Sequence, residues 1–227
     1  MRYLNKIVFI NSAAIRYSEV QLDGNIHLIG TQGVGKSTIL RAILFFYNAD
    51  TQRLGIPVEK KSYQDYYFPY ADSSIIYEVA REDGWFTVLS YKTMNRICYR
   101  FIASPYRPDL FIDEEGAPYP SDRIRSVLDK NGIKYSGAIS TYEEYRNILY
   151  GNSDNKRDYS CYSLMESGSY QNIIRTIQNV LLNSRLEADY IKQTIITSLN
   201  EADSVIDLSR YRSHLSGFEA QLNDIGH

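Results

Sequence analysis

The alternation of apolar and polar residues begins at once. Residues 3–10, Tyr-Leu-Asn-Lys-Ile-Val-Phe-Ile, predict a strand. Residues 14–22 carry a looser alternation and predict a second, closed by the turn signal Asp23-Gly24. Asn25 to Ile29 predicts a short buried strand, and Lys36 to Tyr47-Asn48 a helix. Residues 49–62 are polar, hold Gly55 and Pro57, and predict a loop. Ser74 to Ala80, Trp85 to Tyr91 and Arg96 to Ala103 alternate like strands, with Glu82-Asp83-Gly84 and Thr93-Met94-Asn95 between them, so they predict an antiparallel meander. Leu110-Phe111-Ile112 predicts one more short strand. Ser121 opens a helix through Lys130, stopped by Asn131-Gly132. Thr141, with Glu144 three residues on, forms a capping box for a helix ending near Tyr150-Gly151. Residues 152–158 read as a loop, Ser160 to Met165 as a strand, and Asn179 to Leu182 as strand or helix. From Leu186 to Asp224 the pattern is mainly helical, with apolar residues at Ile191, Ile195, Leu199, then Leu208, Leu215, Phe218, Leu222 and Ile225.

Between the third predicted strand and the first helix stands Gly30-Thr31-Gln32-Gly33-Val34-Gly35-Lys36-Ser37, a full match to G-x-x-x-x-G-K-[ST]. Strand, glycine-rich turn and helix is the setting this pattern requires. Glycine lets backbone approach phosphate oxygens that a Cβ would hold off. The freed N–H groups and the helix N-terminus supply positive potential. In this reading Lys36 reaches the β and γ phosphates and the Ser37 hydroxyl holds Mg²⁺. A chance glycine-rich turn is the alternative, but the flanking strand and helix are read independently of the motif. No Asn-Lys-x-Asp run, the usual guanine reader, occurs, so ATP with Mg²⁺ is the expected ligand rather than GTP.

Composition narrows the setting. The 227 residues suffice for one large domain or two small ones. At 44% hydrophobic and 23% charged, the chain has the makings of a core. A net charge of -2 gives no global basic field for nucleic acid, although a local patch is compatible with it. No apolar run approaches the roughly 20 residues of a membrane span, and the N-terminus lacks the layout of a secretion signal. A cytoplasmic protein is expected. Cys98 and Cys161 sit in apolar-aromatic runs and read as buried, inert thiols. His27, His214 and His227 form no metal-ligand spacing with them. Most of the 21 tyrosines fall in strand-like stretches, which favours packing over base stacking.

A phosphate-loop enzyme also needs an acid at the end of an apolar strand. Only Leu110-Phe111-Ile112-Asp113-Glu114 offers one, with Asp113 as the Mg²⁺ acid and Glu114 as the base. The competing reading, which Pro105, Pro108 and the brevity of the strand favour, is a solvated turn over Asp113-Glu114-Glu115-Gly116. Leu215-Ser216-Gly217 is similar to an ABC signature, but Phe218 stands where a second glycine belongs, and a helical continuation fits better.

These features resemble the N-terminal lobe of SMC-like ABC ATPase heads. Such lobes begin with a strand carrying a pair in the place of Asn11-Ser12, then a second strand, then G-x-N-G-x-G-K-S-T. Here Gln32 replaces the Asn, and Arg41 replaces an Asp in Ile39-Leu40-Arg41-Ala42-Ile43. Tyr66-Tyr67-Phe68-Pro69-Tyr70, residues 139–146 and residues 179–186 look most like the condensin-type ATPase of Wadjet/MukB-like bacterial systems. The resemblance implies an α/β P-loop NTPase fold with an antiparallel meander. It implies an ATP-binding lobe over 1–185 and a helical segment over 186–227 leading toward a coiled coil, or truncated. It also implies that a C-terminal lobe carries the signature and Walker B motifs, that two heads sandwich ATP in a homodimer, that DNA is a partner, and that accessory subunits are possible. Gly30 to Thr38 would hold the nucleotide, with Arg16 near it and Arg53 near DNA. Gln171, Gln178 or Asn183 would sense Mg²⁺. Plasmid or phage defence and chromosome maintenance are both compatible roles. Two other expectations stay open: a self-contained AAA-like ATPase using Asp113 and Glu114, and a nucleotide-binding module without turnover.

Overall fold

A computed structural model describes residues 2–23, 35–48, 61–94, 96–151 and 159–164, with residues 51, 54 and 56. All of them lie in the first of the chain's two units, Met1–Leu182. The architecture is mixed: helices packed on an antiparallel sheet of five strands in the order β2-β1-β3-β4-β5. The strands are β1 (Tyr3–Ser12), β2 (Ile15–Gln21), β3 (Ser74–Arg81), β4 (Gly84–Thr93) and β5 (Arg96–Ile102). Helices α1 (Lys36–Asn48) and α2 (Tyr63–Tyr67) lie in the connection from β2 to β3, and α3 (Ser121–Lys130) and α4 (Tyr142–Leu149) follow the sheet.

Strand alternation sorts the side chains into two cores. Ile7, Phe9, Ile75, Tyr77 and Phe101 face one way and meet α1, α2 and α4. Val8, Ile10, Ile76, Leu89 and Ile102 face the other way and meet Leu110, Phe111 and α3. Both faces are therefore covered, and every residue of β3 up to Ala80 is buried. That explains why Ser-Ile-Ile-Tyr-Glu-Val-Ala reads as a nearly unbroken apolar run, the usual pattern of strands buried on both faces. The outer edge of β5 is closed too. Tyr99 and Ile139 exchange backbone hydrogen bonds at 2.8 and 2.9 Å, and Ser136 N–H donates to the Phe101 carbonyl at 2.8 Å.

Two expected strands are corrected. Residues Pro108–Leu110 form a 3-10 helix, and Ile112 makes only an isolated bridge to Pro118. Pro108 sits at the first helical position, where its missing N–H costs nothing, whereas in a sheet it would break the ladder. Ser160–Tyr162 is likewise a 3-10 helix. With the β5 edge already closed, this segment contributes by packing instead: Tyr162 stands edge-on to Phe86 at 5.9 Å. Cys161, expected to be buried, is exposed there, while Cys98 is buried as expected.

Helix α2 was not expected inside or beside the polar 49–62 loop. Its signal is nonetheless present. Ser62 Oγ accepts a hydrogen bond from Asp65 N–H at 3.1 Å, an N-terminal capping contact at the spacing Ser-x-x-Asp. The remaining helices match their sequence signals closely. Thr141 Oγ1 accepts from Glu144 N–H at 3.3 Å, and Gly132 follows α3 with a φ of 66°.

Candidate functional site

Helix α1 begins where the phosphate-loop motif ends. Gly35 takes a φ of 89°, a left-handed value that costs other residues strain, and its carbonyl accepts from Thr38 and Ile39 N–H at 3.0 and 3.1 Å. The next three residues open the helix: Lys36 half-buried, Ser37 exposed, Thr38 buried. No acid lies in the first turn of α1, whereas α2, α3 and α4 carry Asp65, Asp122 and Glu143-Glu144 there. An acid at that place stabilises an isolated helix. Its absence from α1 leaves the positive end of the helix dipole available to an anion. The chemistry of this turn fits a phosphate with a divalent cation: a cationic side chain, an accessible hydroxyl and a first helical turn without an acid.

The helix itself is held by phenols. Tyr67 Oη donates to the Thr38 carbonyl at 2.7 Å, Tyr77 Oη to the Ala42 carbonyl at 3.1 Å and Tyr145 Oη to the Phe46 carbonyl at 2.7 Å. Tyr150 Oη donates to the Tyr47 carbonyl. Carbonyls 38, 42 and 46 are spaced four residues apart and share a face. Carbonyls 46 and 47 belong to the last turn, where no helical N–H reaches them, and α1 has no basic side chain there. Tyr145 and Tyr150 therefore act as its C-terminal cap. Burial pushes the phenols of Tyr67, Tyr77 and Tyr145 above their ordinary range, in Tyr67 against the pull of the nearby Arg41 cation. All three thus stay protonated donors.

A second feature lies at the tip of the β1–β2 hairpin. A cavity of about 440 Å³ opens there between Asn11, Ala13, Arg16, Tyr70 and Asp72. Asn11 and Ala13 adopt φ values of 44° and 54°, which are uncommon away from glycine. Strain of this kind tends to collect at functional sites. The tip is pinned to the end of α2 and the segment after it. Asn11 Nδ2 donates to Asp72 Oδ2 at 2.9 Å, Ser73 Oγ donates to the Asn11 carbonyl, and Ser12 Oγ donates to the Tyr67 carbonyl at 2.8 Å. Tyr70 is 61% exposed, which leaves its ring free to meet a planar group.

The structure thus links Thr38, through α2, to the hairpin tip beside Arg16. It does not bring Asp113 and Glu114 to them. Those two residues stand on a turn in which Asp113 Oδ1 accepts from Ala117 N–H at 2.7 Å and Gly116 takes a φ of 80°. The turn follows Leu110 and Phe111, which pack on the opposite face of the sheet from α1. Gly30 to Val34, Arg53, Gln171, Gln178, Asn183, Leu215-Ser216-Gly217, the histidines and the 186–227 segment lie outside the described residues. Among the described residues no cluster of metal-ligating side chains occurs, and no helix is long and apolar enough to cross a membrane. Tyr66 and Tyr70, absent from the sequence-based site, carried a signal only in the aromatic run Tyr66-Tyr67-Phe68-Pro69-Tyr70, and Asp72 carried none.

Fold and motif together define a mixed helix-and-sheet domain whose first helix starts at a G-x-x-x-x-G-K-S sequence. The model of one protein family, described as a protein of unknown function (DUF3584), matches residues 12–224. The chain belongs to that family, which is related to RecF/RecN/SMC-like proteins. No curated protein matches it.

Proposed function

We propose that this chain is the ATP-binding half of an SMC-like ATPase head, of the kind found in condensin-type Wadjet/MukB-like systems. The observation that carries the reading is the opening turn of α1. Gly35, Lys36, Ser37 and Thr38 complete the phosphate-loop pattern at a helix terminus free of acids. In this reading Lys36 and the turn's amides hold the β and γ phosphates, and the Ser37 hydroxyl faces Mg²⁺. That ion, when bound, neutralises charge developing on the phosphates. The cavity beside Arg16 supports placing the nucleotide on the hairpin-tip side of α1. Family membership supports the SMC-like assignment, and DNA association, a second head and a C-terminal lobe follow from it as further parts of the proposal. The catalytic acid and base come from that lobe. Asp113 and Glu114, on the far face of the sheet, give a self-contained ATPase no support.

The test is Mg·ATP binding and steady-state hydrolysis by the 227-residue chain, beside Lys36→Ala. Binding that requires Lys36, without turnover, is the expected result. Turnover above the Lys36→Ala background refutes the half-head reading, and binding indifferent to Lys36 refutes the phosphate site itself.

A further inference from the structure

Two tyrosines of α2 converge on one residue of the phosphate turn. Tyr67 is 1% exposed and donates its phenol to the Thr38 carbonyl at 2.7 Å. Tyr66, its neighbour, places its phenol 3.2 Å from the Thr38 hydroxyl. Thr38 is held from its backbone and from its side chain at once, by successive residues of a single short helix. The geometry points to Tyr66 as a positioning residue of the phosphate site, acting through the Thr38 hydroxyl; this rests on the ATP reading above and goes beyond it.

The argument is one of proton bookkeeping. A hydroxyl has one proton to give and two lone pairs to receive with. Thr38 is buried, so its hydroxyl has few partners to choose from. When Tyr66 donates to Thr38 Oγ1, the threonine proton is left to point elsewhere. The ATP reading puts the phosphates beside Ser37, the neighbour of Thr38 at the start of the helix, so the freed proton is available to them. An anion there gains a donor already oriented for it, and pre-orientation is what raises affinity without adding contacts. Tyr66 is 39% exposed, so water can replace Thr38 as its partner and its loss leaves little unsatisfied in the apo fold. Tyr67 does a different job: its buried bond fixes the first turn of α1 against α2. Because the Tyr67 carbonyl also receives Ser12 Oγ at 2.8 Å, the α2 segment joins the phosphate turn to the hairpin tip and its cavity.

The experiment is calorimetric titration of the full chain with Mg·ATP for wild type, Tyr66→Phe, Thr38→Val, the double variant and Thr38→Ser, with melting temperatures taken without nucleotide. Tyr66→Phe is expected to weaken binding roughly three- to tenfold, the scale of one net hydrogen bond, with its melting temperature unchanged. Thr38→Val is expected to weaken binding at least as much, Thr38→Ser to retain it, and the double variant to bind no worse than Thr38→Val alone. Full affinity in Tyr66→Phe, or losses that simply add in the double variant, overturns the inference while the ATP reading stands. If wild type and Lys36→Ala are equally unable to bind Mg·ATP, the ATP reading and this inference fall together.

Discussion

Gly35 is where a single residue decides the most. At a φ of 89° it turns the chain into α1, and its carbonyl takes the Thr38 and Ile39 N–H groups of the first turn. A Cβ built on it would meet nothing within 4 Å. The cost of replacing it is therefore conformational rather than steric. Gly35→Ala is expected to lower stability by about 1–2 kcal/mol, the penalty of a left-handed alanine, visible as a lower thermal midpoint. Mg·ATP affinity should fall with it if, as proposed, the backbone at this turn holds the phosphates. Unchanged stability and affinity together would show that Gly35 does not need its left-handed conformation. Ala13 shows the converse, a side chain held at positive φ in a two-residue hairpin turn where glycine is usual. Its strain borders the Arg16 cavity.

Among the elements, α1 depends most on its surroundings. Thr-Ile-Leu-Arg-Ala-Ile-Leu-Phe-Phe is strongly helical by pattern, but the chain supplies neither an acid at its start nor a base at its end. The phenols of α4 and the residue after it finish the helix instead. This makes the tyrosines unequal. The Phe46 carbonyl, in the last turn, has Tyr145 as its donor, whereas the Ala42 carbonyl also stands opposite a helical N–H four residues on. Tyr145→Phe strands a buried carbonyl and is expected to cost about 1–3 kcal/mol. Tyr77→Phe leaves the Ala42 carbonyl with its helical partner and is expected to cost less. Urea denaturation of both variants measures the difference, and equal losses would contradict the capping role assigned to Tyr145.

At the scale of the whole molecule, the sheet and its two cores hold an unusual number of buried phenols. Tyr63, Tyr67, Tyr77, Tyr99, Tyr145 and Tyr150 are among the largest fully buried side chains. Burial raises the pKa of Tyr63, Tyr77, Tyr99 and Tyr145 above the ordinary 10.0. The folded chain keeps these protons where the unfolded chain would release them. The stabilisation is complete below pH 10, the unfolded value, and is lost as the pH climbs beyond it toward the folded values. Stability measured by urea titration should be level from pH 8 to 9.5 and fall steeply above pH 10. Phenolate absorbance should rise in two steps, the exposed tyrosines such as Tyr66 and Tyr70 first and the buried ones together with loss of circular dichroism. A single step complete before unfolding would mean that the buried tyrosines are open to solvent.

Much of this was legible in the chain. The meander, α3, α4 and the helix after the phosphate loop follow from local pattern, because each carries its own period, cap or stop signal within a few residues. The start of α1 at Lys36, Ser37 and Thr38 was legible for the same reason: its signal is contiguous in the chain. What the sequence could not decide was everything set by partners distant along the chain. Leu110-Phe111-Ile112 has strand-like residues, yet Pro108 and the packing of Leu110 and Phe111 on the second core make it a 3-10 turn, carrying Asp113 and Glu114 away from α1. Ser160–Tyr162 met a sheet edge already closed by Ile139. The hold of Tyr66 and Tyr67 on Thr38 spans 28 and 29 residues, and that of Tyr145 on Phe46 spans 99. A hydrogen bond of that kind needs a donor and an acceptor brought within about 3 Å, a distance that only the folded chain sets.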